Sequence, residues 1–208
     1  EELPELDNGL RMAVSIARRL QDPLRELVKV EPRHIGVGQY QHDVSQKMLR
    51  DGLHKTVVSA VNRVGVDLNT ATESSLRFVS GIQPATARNI CDYRAKNGPF
   101  TSRKQLMDVD GIGPRVFEQC AGFVRIPNAE DPLDATFIHP EAYETVERMA
   151  QACATDVRGL LGNEQALNAL DLGPHQSESI GPLTLTAIRN ELRRPGSDPR
   201  GEFKVPKF

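Results

Sequence analysis

Two stretches of this chain repeat one arrangement of glycine and apolar residues that can bring main-chain amides against an anion. Leu76-x-x-Val79-x-Gly81-Ile82-x-x-x-x-Ala87-x-x-Ile90 has the layout of Leu106-x-x-Val109-x-Gly111-Ile112-Gly113-Pro114-x-x-Phe117. Each reads as a helix, an apolar residue, a glycine-bearing turn and a second helix. The first glycine supplies a tight turn whose backbone angles other residues resist. Ile82 or Ile112 plugs down between the two helices. The second glycine lets the main chain approach a phosphate, and the next helix aims its free amides and positive dipole end at the phosphate oxygens. Such contacts go to the sugar-phosphate backbone, so they position a protein without reading sequence.

This is the helix-hairpin-helix pattern h-x-G-h-G-x-x-x-h, and its two copies are unequal. Gly111-Ile112-Gly113 has both glycines, with Pro114 in a first helical turn and Arg115 beside it. Gly81-Ile82-Gln83 lacks the second glycine, which weakens the case for phosphate there. The candidate contacts are therefore Gly111, Ile112, Gly113 and Arg115, then Gly81 and Ile82, with Arg88, Lys96, Arg103 and Lys104 as auxiliary charges. Ile180-Gly181-Pro182-Leu183 resembles half of a further hairpin and reads as a helix N-terminus. Hairpins of this type also serve as packing units or protein-docking surfaces, so that alternative stays open.

Charge bears on where an anion could bind. The net charge is −2, but residues 64–126 carry eight Lys/Arg against six Asp/Glu, and residues 127–208 carry eight against thirteen. The middle third is the electrostatic footprint, and a modest one, suited to weak, salt-sensitive binding. With no Trp, three Tyr and seven Phe, a surface that grips bases mainly by stacking is disfavoured. Cys91, Cys120 and Cys153 are odd in number and form no CxxC pair, which fits free thiols in a reducing compartment. His34, His42, His54, His139 and His175 have no ligand-like spacing with Cys or carboxylates, so no metal site is indicated. No cofactor is expected, and a monovalent ion held by hairpin carbonyls stays open. No stretch is long and apolar enough to span a membrane, and Glu1-Glu2-Leu3-Pro4 is no signal peptide.

The elements that must position these residues are helical. Leu10, Ala13, Val14, Ala17 and Leu20 recur at helical spacing, and Asp22-Pro23 restarts a short helix over Leu24–Val28. Ile35–Tyr40 reads as a connection, its short GxG pair a poor phosphate loop, and a helix follows from about Val44 to Val64. Thr70-Ala71-Thr72-Glu73 reads as a capping box in which Thr70 caps and Glu73 reaches back. Helices are expected from Pro84 to Lys96, from the Ser102–Gln105 box to Val109, and from Pro114 to Phe123. After a linker over Pro127–Asp134, His139-Pro140-Glu141 opens a helix with Ala142, Val146 and Met149 inward. Short helices follow at Asp156–Leu161, Glu164–Leu170 and Leu183–Leu192, then an extended tail over Arg193–Phe208. Strand signals are nearly absent, so the fold class is all-α.

Several of these runs resemble the Tex family of bacterial transcription-accessory proteins and their eukaryotic relatives. They are Ala17-Arg18-Arg19-Leu20-Gln21-Asp22-Pro23-Leu24, Ile35-Gly36-Val37-Gly38-Gln39-Tyr40-Gln41-His42-Asp43, Asn97-Gly98-Pro99-Phe100, Ala121-Gly122-Phe123, and Leu133-Asp134-Ala135 with His139-Pro140-Glu141. The resemblance covers essentially the whole chain. It implies that residues 1–30 are the last helices of an RNase H-like domain, 31–43 a linker and 44–126 a tandem helix-hairpin-helix (SAM-like) domain. Residues 127–195 become a second, related helical domain, and 196–208 a tail leading to an RNA-binding OB-fold beyond the chain. These motifs run through without large insertions, which favours a bacterial, cytoplasmic setting, and the chain is expected to be a monomer.

Catalysis is not expected. The resemblance implies an RNase H-like domain without a working nuclease site, and Asp7 reads as a helix-entry residue. Asp134 stands where a helix-hairpin-helix DNA glycosylase could hold its catalytic Asp. The hairpin lacks the lysine of many such enzymes, however, and no base pocket is evident. Two readings remain: a non-sequence-specific binder of RNA or DNA backbone, or a scaffold whose acidic last third docks a protein such as RNA polymerase or a ribosomal component.

Overall fold

The computed structural model describes residues 3–36 and 38–200; Glu1, Glu2, Val37 of the GxG run and residues 201–208 of the tail lie outside the described residues. Helix α1 (Asn8–Gln21) begins where the Asp7 carboxylate accepts from Leu10 N at 2.9 Å, so Asp7 is a cap. Asp22 then caps α2 (Pro23–Leu27), accepting from Arg25 N at 3.3 Å, with Pro23 in the first turn. The α1 helix buries none of its residues, whereas Leu24 and Val28 join the first core. The α1–α2 corner is held by polar groups: buried Glu26 accepts from Ser15 Oγ at 3.0 Å and from Lys29 Nζ at 2.7 Å.

Helix α3 (Gln46–Val64), capped by Ser45, leads into the first of two strands, β1 (Val66–Asp67). Its parallel partner β2 (Val124–Arg125) stands 58 residues later, with Val66 opposite Val124. Sequence signals for strands were nearly absent because each strand is two residues long. The pairing fixes the entry and exit of everything between them.

Within that bracket lie α4 (Glu73–Leu76), α5 (Pro84–Asn97), a 3-10 helix at Arg103–Asp108, α6 (Pro114–Cys120) and a 3-10 turn at Ala121–Phe123. The Ser102–Gln105 box forms as expected, with the Gln105 side chain accepting from Ser102 N at 3.2 Å. The box before α4 is shifted by two residues from expectation. Thr72 is the cap and Ser75 its reciprocal partner, with Ser75 N donating to Thr72 Oγ1 at 3.2 Å. Thr70 is unavailable because Asp67 gathers the preceding turn, accepting from Thr70 Oγ1 at 3.0 Å and Asn69 N at 2.8 Å. Leu68, Leu76, Ile90, Phe100, Leu106 and Ile126 fill this first core.

A second core, around Leu133, Val146, Met149, Leu160, Leu167 and Leu185, is built by 3-10 turns at Pro132–Ala135 and Pro140–Ala142 and by four helices. These are α7 (Tyr143–Ala152), α8 (Val157–Leu160), α9 (Glu164–Ala169) and α10 (Pro182–Arg193). The chain beyond α10 was expected to be extended, yet residues 194–200 fold back. Gly196 N donates to Glu191 Oε1 at 2.8 Å, Arg125 Nη1 donates to Gly196 O at 2.9 Å, and Arg200 Nη1 reaches Asp22 at 2.9 Å. Charge pairing that links residues 178 apart in sequence carries no local signal. No helix among the described residues is long and apolar enough to cross a membrane.

Candidate nucleic-acid interface

The two hairpins are one backbone device built twice, 30 residues apart, from Leu76/Leu106 through Val79/Val109, Gly81/Gly111, Ile82/Ile112 and Pro84/Pro114 to Ile90/Cys120. Gly81 turns at φ +82° and Gly111 at φ +86°. The next amide returns to the preceding helix in both: Ile82 N donates to Val79 O at 3.1 Å and Ile112 N to Val109 O at 3.0 Å. Ile82 and Ile112 are both buried, so each is the plug that the pattern demands.

The contacts between the hairpins are reciprocal. A Cβ on Gly81 would meet Gln119 and Val116, while one on Gly111 would meet Thr86 and Asn89. Since 86 and 89 become 116 and 119 under the same offset, the units face each other across a local two-fold. Asn89 strengthens one side, its Nδ2 donating to Asp110 O at 2.9 Å. This packing puts both turns and the N-termini of α5 and α6 in one region.

At the second turn Gly113 has φ −91° and ψ 177°, which any residue can adopt, and a Cβ there would touch nothing within 4 Å. The glycine is thus not needed for the turn; it leaves the main chain open to solvent. Pro114 follows, Phe117 N closes the first helical bond to Gly113 O at 2.9 Å, and the amides of Arg115 and Val116 have no acceptor within the helix. Arg115 is exposed beside them. Gln83 occupies the matching place in the first hairpin with φ −88° and ψ 160°, making no side-chain cap bond.

The auxiliary charges divide sharply. Arg88 is exposed on α5, with Glu73 3.6 Å away. Lys96 lies ten residues beyond Thr86, about 15 Å along α5 at 1.5 Å per residue, so it cannot share a phosphate with the turns. Lys104 is exposed at the start of its 3-10 helix, at the end away from the second turn.

Arg103 corrects the sequence reading: it is 0% exposed and cannot touch nucleic acid. Its Nε donates to Val124 O at 2.9 Å, Nη1 to Ile138 O at 2.7 Å and to Tyr143 Oη at 2.9 Å, and Nη2 to Thr136 O. Asp134, 2% exposed, completes the node by accepting from Arg103 N at 2.9 Å and Tyr143 Oη at 2.6 Å. Burial drives the Tyr143 phenol well above its usual range, ahead of the opposing pull of Arg103. The node therefore bolts the leading helix of the second hairpin to the second core, and it occupies Asp134. Sequence alone placed Arg103 outside because arginine in a short amphipathic segment is usually solvated.

Three further residues escaped the sequence reading. Asn62 holds the first hairpin to α3, donating to Phe78 O at 3.3 Å and accepting from Ser80 N at 3.1 Å. Asn69 and Phe100 exchange two bonds, at 2.9 and 2.7 Å. Arg94 ties α5 to the loop before α4 through Leu68 O at 2.7 Å and Ala71 O at 3.0 Å. An asparagine within an apolar helical run, as at Asn62, was the available signal.

Gly181 repeats the Gly113 geometry at the head of α10, with φ −85°, ψ 177°, Pro182 in the first turn and open space at its Cβ position. Exposed Leu183 stands there where the second hairpin has Arg115. Cys91, Cys120 and Cys153 are free; burial raises the Cys91 thiol and pushes Cys120 up to about 11. Among the described residues no group of three or more His, Cys, Asp or Glu could hold a metal ion.

Comparison with known proteins sets this geometry in context. A family model described as "Helix-hairpin-helix motif" matches residues 61–125, and one described as "HHH domain" matches residues 131–200. "Protein YhgF" of Escherichia coli (strain K12) is 51% identical over 208 residues, covering 100% of this chain and 27% of the relative. "Transcriptional accessory protein Tex" of Neisseria gonorrhoeae is 48% identical over 207 residues, again 100% of this chain and 27% of the relative. "S1 RNA-binding domain-containing protein 1" of Homo sapiens is 57% identical over 126 residues, 61% of this chain and 13% of the relative. The chain thus spans about a quarter of the length of the curated bacterial relatives it matches.

Proposed function

Because the chain belongs to the Tex family and carries tandem helix-hairpin-helix domains, we propose that it is a non-sequence-specific nucleic-acid-binding module of a transcription-accessory or RNA-handling factor. In this reading the phosphate backbone is held by hairpin amides, with Gly113 and Arg115 making the main contact. The observation that carries it is the Gly113 site, where a glycine needed neither for backbone angle nor for packing opens the main chain beside unused amides. Contacts of that kind read charge and spacing, not bases. In this reading the module works as a cytoplasmic monomer with no catalysis of its own. What supports the last point is that Asp134, the one carboxylate placed like a glycosylase's, is taken up by the Arg103 node.

The test is fluorescence anisotropy of the 208-residue chain with single-stranded RNA, single-stranded DNA and duplex DNA, at low and near-physiological salt. Gly113→Asp places a carboxylate where the phosphate would sit, on a backbone that accepts any residue. Binding that weakens steeply with salt and falls at least about tenfold in Gly113→Asp supports the proposal. Binding indifferent to the substitution removes Gly113 from the interface. No binding even at low salt favours the scaffold reading, in which the hairpins are architectural.

A further inference from the structure

The first hairpin has a groove of its own. It opens between α3 and the α5 N-terminus, with a volume of about 470 Å³, and is lined by His54, Arg77, Phe78, Ser80, Ile82 and Gln83 among others. The buried Phe78 ring is the platform of this groove. The Arg77 guanidinium carbon lies 5.0 Å from its centroid, and the His54 ring is 5.5 Å away at 46°. A guanidinium stacked on a ring is already ordered, so little further side-chain entropy is lost when it binds an anion. Both side chains are exposed, and among the described residues neither has a carboxylate partner. Arg88, farther along α5, is by contrast already near Glu73.

The repeat shows that this groove is particular to one copy. Under the 30-residue offset Arg77, Phe78 and Ser80 become Met107, Asp108 and Asp110. The second hairpin thus has neither the cation nor the ring, and places two carboxylates there instead. Each hairpin has one of two possible aids to anion binding: open main chain at Gly113, or an ordered cation at Arg77.

We propose that a backbone phosphodiester of bound nucleic acid seats in the groove between α3 and the first hairpin, held by Arg77 and His54 beside the α5 N-terminus. The proposal rests on the nucleic-acid reading above and extends it to a second contact made by side chains rather than by a glycine. The two contacts, on hairpins that face each other across a local two-fold, take two backbone positions of one bound nucleic acid.

The experiment uses the 208-residue chain and the same three nucleic acids, with Arg77→Glu, Arg77→Gln, His54→Gln and Gly113→Asp compared. Arg63→Glu is the control, an equal charge change at an exposed position on the opposite side of α3 from His54. Circular dichroism and urea midpoints confirm folding; Arg77 and His54 are exposed, so both should match wild type. The expected result is affinity lower by about tenfold in Arg77→Glu and about threefold in Arg77→Gln and His54→Gln. The slope of log affinity against log salt should fall by about one in the Arg77 variants. Arg63→Glu should change affinity by less than about twofold. If Arg77→Glu and Arg63→Glu weaken binding equally, the effect is general charge and the groove holds no phosphate. If the Arg77 and His54 variants bind like wild type while Gly113→Asp does not, the groove proposal fails and the Gly113 proposal stands. If wild type binds nothing at low salt, both fall.

Discussion

The two hairpins share a backbone and differ in chemistry. Both turn on a glycine at positive φ, both bury an isoleucine, and both start the next helix with proline. Yet the second offers bare main chain at Gly113, flanked by Asp108 and Asp110, while the first offers Gln83 beside Arg77 and His54. They also hang from different supports. The first is tied to α3 by Asn62, and the second to the following core by Arg103. Packing across the local two-fold constrains the turn glycines, because a Cβ on either would meet the helix of the other unit, while the buried isoleucines are held by the core. The solvent-facing positions escape that constraint and can diverge in the anion contacts they make.

The comparison can be broken most forcefully at the supports. Arg103→Met should cost about 3–5 kcal/mol, since it leaves Asp134 without its buried cation and three carbonyls without donors. Urea unfolding measures this, and a loss under about 1 kcal/mol would show that the node is not what anchors the second hairpin. Asn62→Ala, acting on the first hairpin's support, should cost less, about 2 kcal/mol, through loss of its bonds to Phe78 O and Ser80 N.

The turn glycines sharpen the comparison at a finer scale. Gly81→Ala and Gly111→Ala both force a Cβ onto positive φ, a strain of about 1–2 kcal/mol. Gly81→Ala should be the worse, because its Cβ would lie 2.8 Å from Gln119 Cβ, against 3.3 Å from Thr86 Oγ1 for Gly111→Ala. Equal urea midpoints for the two variants would refute the unequal packing. Gly113→Asp should by contrast change stability by no more than about 0.5 kcal/mol, since neither strain nor contact opposes it.

The smallest effect lies at Ile90 and Cys120, which fill the same core position in the two copies. Burial holds the Cys120 thiol near pKa 11, so at pH 8 the reactive thiolate is nearly absent in the folded chain. Alkylation should therefore leave Cys120 unmodified at pH 8 under native conditions and label it in urea. Fast native labelling would mean that the second hairpin opens far more readily than its packing allows.

Much of this was written locally and could be read without coordinates. Helix starts at Asp7, Asp22, Ser102 and Pro114 follow from single side chains that meet amides three residues away or less, or from proline's fixed φ. The repeat itself, with Gly111, Ile112, Gly113, Gly81 and Ile82, was legible because a turn of positive φ and a buried plug restrict residue type at fixed spacing. The capping box falls at Thr72 and not at Thr70 because Asp67 draws the Thr70 hydroxyl into the preceding turn, a choice between two nearby threonines that the local pattern does not rank.

What only the tertiary structure decided were the partners of long polar side chains. Arg103 and Arg115 are both arginines near one hairpin. One meets carbonyls 21–35 residues away and is buried, while the other is exposed. The two-residue pairing of β1 with β2, the Asn62 and Asn69 clamps, the return of Arg200 to Asp22 and the Phe78 platform are likewise contacts between distant segments. Local patterns reflect conformational preference and apolar periodicity, which act over a few residues. Whether a charge is solvated or spent inside depends on which segments fold over it, and that is fixed only when the whole chain has packed.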